Sequence, residues 1–419
     1  MEALPLFKNN KERLYFYFIV IFIFCINLYI NYQNYKSFKT NEVFQTDATI
    51  LNIYNKKSYS VLKLKTKEFV CFTATNTNND FQKLQTIDIF LITKNISFYQ
   101  YLNQFYTKSF NISILNTDNT IKYKISNTIY AQHNNSNNSY ISSLYSALFL
   151  AIPLEPQLRD IAASFGVSHL IAISGFHLGV IAFVLYFIIN LIYKPIQQNF
   201  LPFRNKKYDI LLLTICAMFC YLIFVDLVPS LIRAFTMFVF GIFLLRNNIK
   251  LLSFETLFII VCIIIAIFPK LLFSLSLWFS VAGVFYIFLF IKYFKELNRY
   301  IQFILFNFWI YLAINPITHY FFDTTSIEQL YSPIITILFT IFYPLTALLH
   351  LIGEGSFFDT ILLDIINLDI EIKKLFTPLW FFIVYILISL SSIFSKKGFI
   401  LLNLLFLLFN IWLYAKFII

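Results

Sequence analysis

Charge is scarce in this sequence: Asp, Glu, Lys and Arg make up 13% of its 419 residues, against about a quarter in ordinary soluble domains. That scarcity excludes both a soluble globular enzyme and a disordered, charge-swollen chain. Glycine is nearly as rare, with eight residues in all. Five cysteines, at 25, 71, 216, 220 and 262, form no C-x-x-C pair, so neither a thiolate zinc site nor a disulfide framework is expected. Cys216 and Cys220 stand one helical turn apart, a spacing that suits packing. Walker A, G-x-S-x-G, H-E-x-x-H and dinucleotide-binding patterns do not occur. The sequence offers no ATP site and no cofactor, and directed transport would draw its energy from elsewhere.

Apolar residues, in contrast, make up 59% of the chain, and 20% is aromatic. Long apolar runs recur through the last two-thirds without the alternating decamers of a transmembrane barrel. The fold class expected is therefore a polytopic α-helical membrane protein. The net charge of +11 has two readings that stay open here: Lys and Arg at cytoplasmic helix ends, or a basic path for a polyanion.

Three basic residues, Lys8, Lys11 and Arg13, precede the run LYFYFIVIFIFCINLYI (14–30). No small-residue cleavage site follows, so residues 1–30 read as a retained first helix with its N-terminus in the cytoplasm. Residues 31–140 are rich in Asn, Thr, Lys and Ser. Short alternating runs at 48–54, 59–65, 67–72 and 87–93 predict a small β-domain of about five strands. A small OB-like barrel outside the cytoplasm fits that pattern. Residues 132–140, QHNNSNNSY, read as a linker.

From 141 to 400 the chain reads as a multi-helix membrane core, with 401–419 as its last helix. SSLYSALFLAIP (142–153) is too short to span and suits the membrane interface. Spans are expected near 170–193, 209–226, 230–246, 251–268, 271–291, 301–318, 331–352, 377–394 and 399–418. Basic residues after alternate spans (Lys194 to Lys207; Arg246 and Lys250; Lys292 to Arg299) place those loops in the cytoplasm. Lys396 and Lys397 obey the same rule if 331–352 is re-entrant. The acidic stretch 353–375 suits a helix on the surface.

Three of the eight glycines, Gly166, Gly175 and Gly179, and two of five histidines, His169 and His177, fall within LRDIAASFGVSHLIAISGFHLGV (158–180). Either a broken helix or close packing through Ala172, Ser174 and Gly175 explains such clustering. Polar groups inside a span are costly and face an interior or a water path. His169, Ser174 and His177 are of that kind, and so is Arg233, which lines the interior, snorkels to the interface or pairs with Asp226. Arg159 and Asp160 suit pairing at helix ends. A metal site on His169 and His177 lacks an evident third ligand.

The run FGVSHLIAISGFHLGVIAF (165–183) resembles the signature of the ComEC family of competence proteins. Arg159, Gly166, Ser168, His169, Leu170, Ala172, Ile173, Ser174, Gly175 and His177 match its pattern. Pro229, Ser230, Arg233, Ala234 and Met237 are similar to its Pro-Ser-x-x-Arg-Ala helix. The run at 271–285 matches more loosely: Ser280 is kept, but Trp278 stands where the family has Gln. The resemblance spans roughly residues 40–400. It implies an inner-membrane channel that passes single-stranded DNA into the cytoplasm during natural transformation. Arg159, His169, Ser174, Gly175, His177 and Arg233 would then shape the pore. A periplasmic DNA receptor, a cytoplasmic ATP-driven helicase or translocase, and a second copy of the chain are the partners it implies beyond DNA and the bilayer. Longer members carry a metallo-β-lactamase-like domain. The H-x-H-x-D-H motif of that domain is missing here, so no hydrolytic activity is expected. The other readings are a secondary transporter of a small anion, with no clear inverted repeat to support it, and an intramembrane metalloenzyme.

Overall fold

A computed structural model describes residues 6–7, 9–56, 58–75, 81–115, 121–133, 139–246 and 253–417. Two compact units divide the chain: residues 5–128 with 259–277, and the remainder.

The first unit holds helix α1 (Asn10–Lys39) and strands β1 (Val43–Asn55), β2 (Ser60–Lys65), β3 (Val70–Thr75) and β4 (Thr86–Ile92). Helix α2 (Phe98–Leu102) and strands β5 (Phe105–Tyr106) and β6 (Ser109–Ile114) follow. The strand order is β5-β3-β2-β1-β4-β6. β5 pairs parallel with β3 and β6 antiparallel with β4. Only Thr107 and Lys108 separate β5 from β6, so the ladder returns to its start. The outer edges of an open sheet, with their unpaired N–H and C=O groups, are thereby joined. Thr107 N–H donates to Phe72 O at 2.9 Å, and Thr73 Oγ1 donates to Ser109 Oγ at 2.7 Å, at the closure.

Alternation along the strands does the rest. Leu62, Leu64, Ile87, Ile89, Leu91 and Cys71 point inward and are fully buried, as period-two patterning requires. Burial pushes the Cys71 thiol up to about 12, since the thiolate would have to lose its water. The last turn of α1 fills one end of this core. Phe38 sits 5.0 Å from Phe69, 5.2 Å from Phe44 and 5.5 Å from Tyr101, ring centre to ring centre. The helix expected over 1–30 therefore runs on to Lys39, because residues 31–39 carry the apolar stopper of the sheet. A short turn at Pro269–Phe273 joins this unit. There Lys270 donates to Glu68 O and lies 4.9 Å over the Tyr101 ring, while Tyr101 donates to the Glu68 carboxylate at 2.7 Å.

Helix α3 (Ile121–Gln132) begins in the first unit and ends in the second. Its polar sequence hid it within the expected β-domain. Part of the expected linker, 134–138, lies outside the described residues. The helices that follow are α4 (Ser139–Leu150), α5 (Pro156–Ser164), α6 (Ser168–Ile171), α7 (Gly175–Phe200), α8 (Lys206–Phe224), α9 (Pro229–Arg246) and α10 (Phe254–Ile267). Then come α11 (Leu275–Phe294), α12 (Arg299–Phe321), α13 (Ser332–Ile352), α14 (Asp359–Ile366), α15 (Leu379–Ser391) and α16 (Lys396–Ala415). Strands β7 (Thr324–Thr325) and β8 (Lys373–Lys374) pair antiparallel.

Among the described residues, seven helical stretches are long and apolar enough to cross a membrane: Asn10–Lys39, Ser168–Phe200, Lys206–Phe224, Leu275–Phe294, Arg299–Phe321, Ile327–Ile352 and Lys396–Ala415. Two expected spans are shorter than that. α10 starts at the Ser253 cap and stops before Pro269, giving 14 residues, or about 21 Å against the ~30 Å of a hydrocarbon core. α15 has 13 residues between Pro378 and Ser392. Residues 332–352 form one continuous helix; Ser332 starts it and Gly353, at φ 91°, ends it. α4 is not an interfacial helix either. Ile141, Ser142, Ser143, Tyr145, Ser146, Ala147, Leu148 and Leu150 are buried, because its small side chains let it sit inside the protein. Within 353–375 the expected surface helix shrinks to the eight residues of α14.

α11, α12, α15 and α16 share an aromatic core built on Tyr286, Phe290, Trp309, Tyr385, Phe399 and Phe406. Polar side chains fix it. Pro316 lies inside α12 and has no N–H, which frees the carbonyl of Leu312 four residues back. Asn410 of α16 donates to that carbonyl at 3.0 Å and accepts from Asn315 at 2.7 Å. Asn410→Leu strands both groups and costs about 1–3 kcal/mol. Thermal unfolding of the purified protein checks this, with the exposed-position variant Leu404→Ala unchanged.

Candidate functional site: a broken helix between α6 and α7

The chain around 163–177 departs from helical geometry twice. At the end of α5, Gly166 takes φ 66°, a left-handed conformation open to glycine and strained for other residues. A Cβ there would lie 3.3 Å from Ser332 Cβ. The break exposes carbonyls that α5 can no longer satisfy, and side chains from 326–332 take them. Gln329 Nε2 donates to Ala163 O at 3.0 Å, Ser326 Oγ donates to Ser164 O, and Ser332 Oγ donates to Gly166 O at 3.0 Å. His169 Nδ1 also donates to Gly166 O, at 3.1 Å. Nothing in the sequence marked Ser326, Gln329 and Ser332 as partners of this motif; they lie about 160 residues away along the chain.

The second break falls at Ala172–Ser174. Ala172 and Ser174 are extended, and α7 restarts at Gly175 with Ser174 as its N-cap. Ser174 Oγ accepts from Phe176 N at 3.3 Å, and Ser174 N–H donates to His177 Nδ1 at 3.2 Å. That is a capping box in which histidine takes the place usually held by Glu or Gln. An N–H donor on Nδ1 fixes the tautomer, leaving the ring hydrogen on Nε2. His177 is 0% exposed, and its ring meets Tyr343 at 4.4 Å and Phe339 at 5.6 Å. Nε2 has no hydrogen-bond partner among the described residues.

α9 lies against this restart. Gly175 faces Ala234, whose Cβ would be 3.6 Å from an added Cβ, an ordinary contact. Glycine is therefore not needed at 175 for close approach, contrary to the packing reading; Gly166 alone in this cluster requires it. Next to Ala234, Arg233 is 6% exposed, so its guanidinium is held inside the protein and does not snorkel out. Ile173, Leu178, Ala182, Met218, Leu222, Val225 and Leu231 pack α7, α8 and α9 into one apolar cluster.

Of the six candidate residues, Ser174, Gly175 and His177 meet at the start of α7, with Arg233 on the helix beside them. Arg159 stands apart, exposed on α5, and His169 is exposed on α6. His169 and His177 each spend a ring nitrogen on local backbone, and among the described residues no three His, Cys, Asp or Glu side chains form a metal-binding group. Trp278, in place of the family's Gln, is exposed on α11.

A family model described as Competence protein matches residues 153–417, a stretch that holds all six candidate residues. No curated protein and no solved structure matches.

The geometry separates the two glycines experimentally. Gly166→Ala forces a Cβ into a left-handed backbone and costs about 1–2 kcal/mol. Gly175→Ala leaves stability unchanged or raises it by up to about 1 kcal/mol. Unfolding midpoints of the two purified variants check the contrast.

Proposed function

This chain belongs to the competence protein family, which acts in DNA uptake, and on that premise we propose that it is the inner-membrane channel through which single-stranded DNA enters the cytoplasm. A single strand carries a charge at every nucleotide and cannot cross hydrocarbon unaided. It needs a polar or cationic route with faces on which bases stack. The observation that carries the proposal is the buried cation Arg233 beside the broken start of α7, both inside the matched stretch. A charge held at membrane depth is expensive and marks a pathway for ions or polar substrates.

In this reading Ser174, Gly175, His177 and Arg233 shape the gate, and Arg159 and His169 stand on its approaches. The sheet unit is an OB-like domain on the extracytoplasmic side, and the N-terminus is cytoplasmic. Its strand pairing supports the OB-like reading: a meander β1-β2-β3, β3 parallel to β5, and closure through β6 onto β4. Its outer surface carries a cation and rings in cross-strand register. Lys63 pairs with Phe72 and lies 5.6 Å over its ring, while Phe90 pairs with Phe110, the two stacked at 5.6 Å. Such a surface suits single-stranded nucleic acid. The reading assigns no hydrolysis to this chain and leaves the motor and the DNA receptor to partner proteins.

Arg233 supplies the test. Arg233→Ala lowers transformation to the level of a strain without the protein while membrane abundance stays normal. Wild-type transformation by that variant would remove Arg233 from the route.

A further inference from the structure

Away from the broken helix, three segments of the second unit meet on a pair of histidines. His133, just past α3, is 2% exposed, and Asp359, which opens α14, is 6% exposed. His133 Nδ1 lies 2.9 Å and 3.0 Å from the two Asp359 carboxylate oxygens. Across the ring, His133 Nε2 lies 3.1 Å from Nε2 of His350, in the last turn of α13. The other nitrogen of His350, Nδ1, is 2.7 Å from Thr346 O. Tyr145 of α4 covers the pair, stacked on His133 at 4.9 Å and tilted against His350 at 4.4 Å. Gln132 clamps the same place, donating to His350 O and accepting from Gly355 N–H, both at 3.1 Å.

Counting hydrogens on this chain of bonds gives a definite result. A carbonyl oxygen only accepts, so His350 Nδ1 carries a hydrogen. A carboxylate only accepts, so His133 Nδ1 carries one too. If both rings were neutral, each would have spent its single hydrogen on Nδ1. Two bare Nε2 lone pairs would then face each other in a dry interior. The group therefore needs one more proton than a carboxylate and two neutral imidazoles carry, or a metal ion, between the two nitrogens.

Geometry separates a proton from a metal ion. The ring centroids are 5.3 Å apart and the Nε2 atoms 3.1 Å apart. The difference is what two imidazole radii take up, so both lone pairs lie along the line joining the rings. A zinc-like ion sits about 2.1 Å from each nitrogen and is too large for that line. It would lie to one side, with both rings turned towards it. Asp359 sits on the other nitrogen of His133, away from that point, and no metal-binding group of three His, Cys, Asp or Glu forms among the described residues.

We propose that Asp359, His133 and His350 form a buried proton-binding site. The site holds one proton more than a carboxylate and two neutral imidazoles, placed in an Nε2–H···Nε2 hydrogen bond. Moving the His133 Nδ1 hydrogen onto the Asp359 carboxyl leaves the count unchanged, so the proton belongs to the group and not to one residue. With it, the three side chains sum to zero charge, the cheapest state for burial. Among the described residues, the titratable groups touching the ring pair are Asp359 from α14 and Tyr145 from α4. α13 and the turn at Gly355 meet it with a backbone carbonyl and a backbone amide. Loss of the proton leaves lone pair against lone pair, so the bound proton is what fastens the end of α3 to α13.

Nitrogen-15 NMR of the full chain in lipid nanodiscs, labelled at its five histidines, tests the site at neutral pH. The expected spectrum shows a nitrogen–nitrogen coupling across one hydrogen bond between ring nitrogens of two residues, lost in His350→Phe. Absence of that coupling, with Nε2 of both His133 and His350 at the shift of a bare ring nitrogen, would overturn the proposal. So would one equivalent of tightly held zinc in the purified protein. The wild-type spectrum and metal content decide the matter even if His350→Phe does not fold.

Discussion

A buried carbonyl or amide without a partner costs about 1–3 kcal/mol, and inside a bilayer no water is at hand to supply one. This chain interrupts its helices repeatedly, at Gly166, at Ala172–Ser174 and at Pro316. Each interruption is answered by a side chain from a distant segment or by a local cap. Gln329, Ser326 and Ser332 take the carbonyls after α5; Ser174 and His177 cap each other at α7; Asn410 takes the carbonyl freed by Pro316. The positions of α5, α6, α7, α12, α13 and α16 follow from these bonds as much as from apolar packing.

That constraint also gives the broken helix its value. A continuous helix presents only side chains to its surroundings, whereas a break presents backbone groups and a helix start with its positive dipole end. In this protein the break sits beside a buried arginine and within the stretch matched by the competence family. His177 holds the α7 start in shape by fixing Ser174.

Patterns with a short period were legible in the sequence. Alternation located β2 and β4 to within a residue, while β1 starts five residues before its expected run and β3 lies three residues further on; apolar length located α1, α7, α8, α11, α12, α13 and α16. What depends on distant partners was not legible. The closure of the sheet rests on β5 and β6, too short to carry a pattern. α3, IKYKISNTIYAQ, is polar and carries little helical amphipathicity to read. α4 reads as interfacial because its length rules out a span, yet its serines and Ala147 fit it inside. The motif at 158–180 stood out by its glycines and histidines, but only coordinates show that Gly166 needs its missing Cβ and Gly175 does not. His133, His350 and Asp359 lie more than 200 residues apart across the first pair, and no spacing joins them.

The most direct test of the account follows labelled duplex DNA in a strain lacking this protein, scored in the periplasm and in a nuclease-resistant cytoplasmic pool. The channel reading predicts that periplasmic DNA persists and the cytoplasmic pool disappears. An unchanged cytoplasmic pool would contradict it.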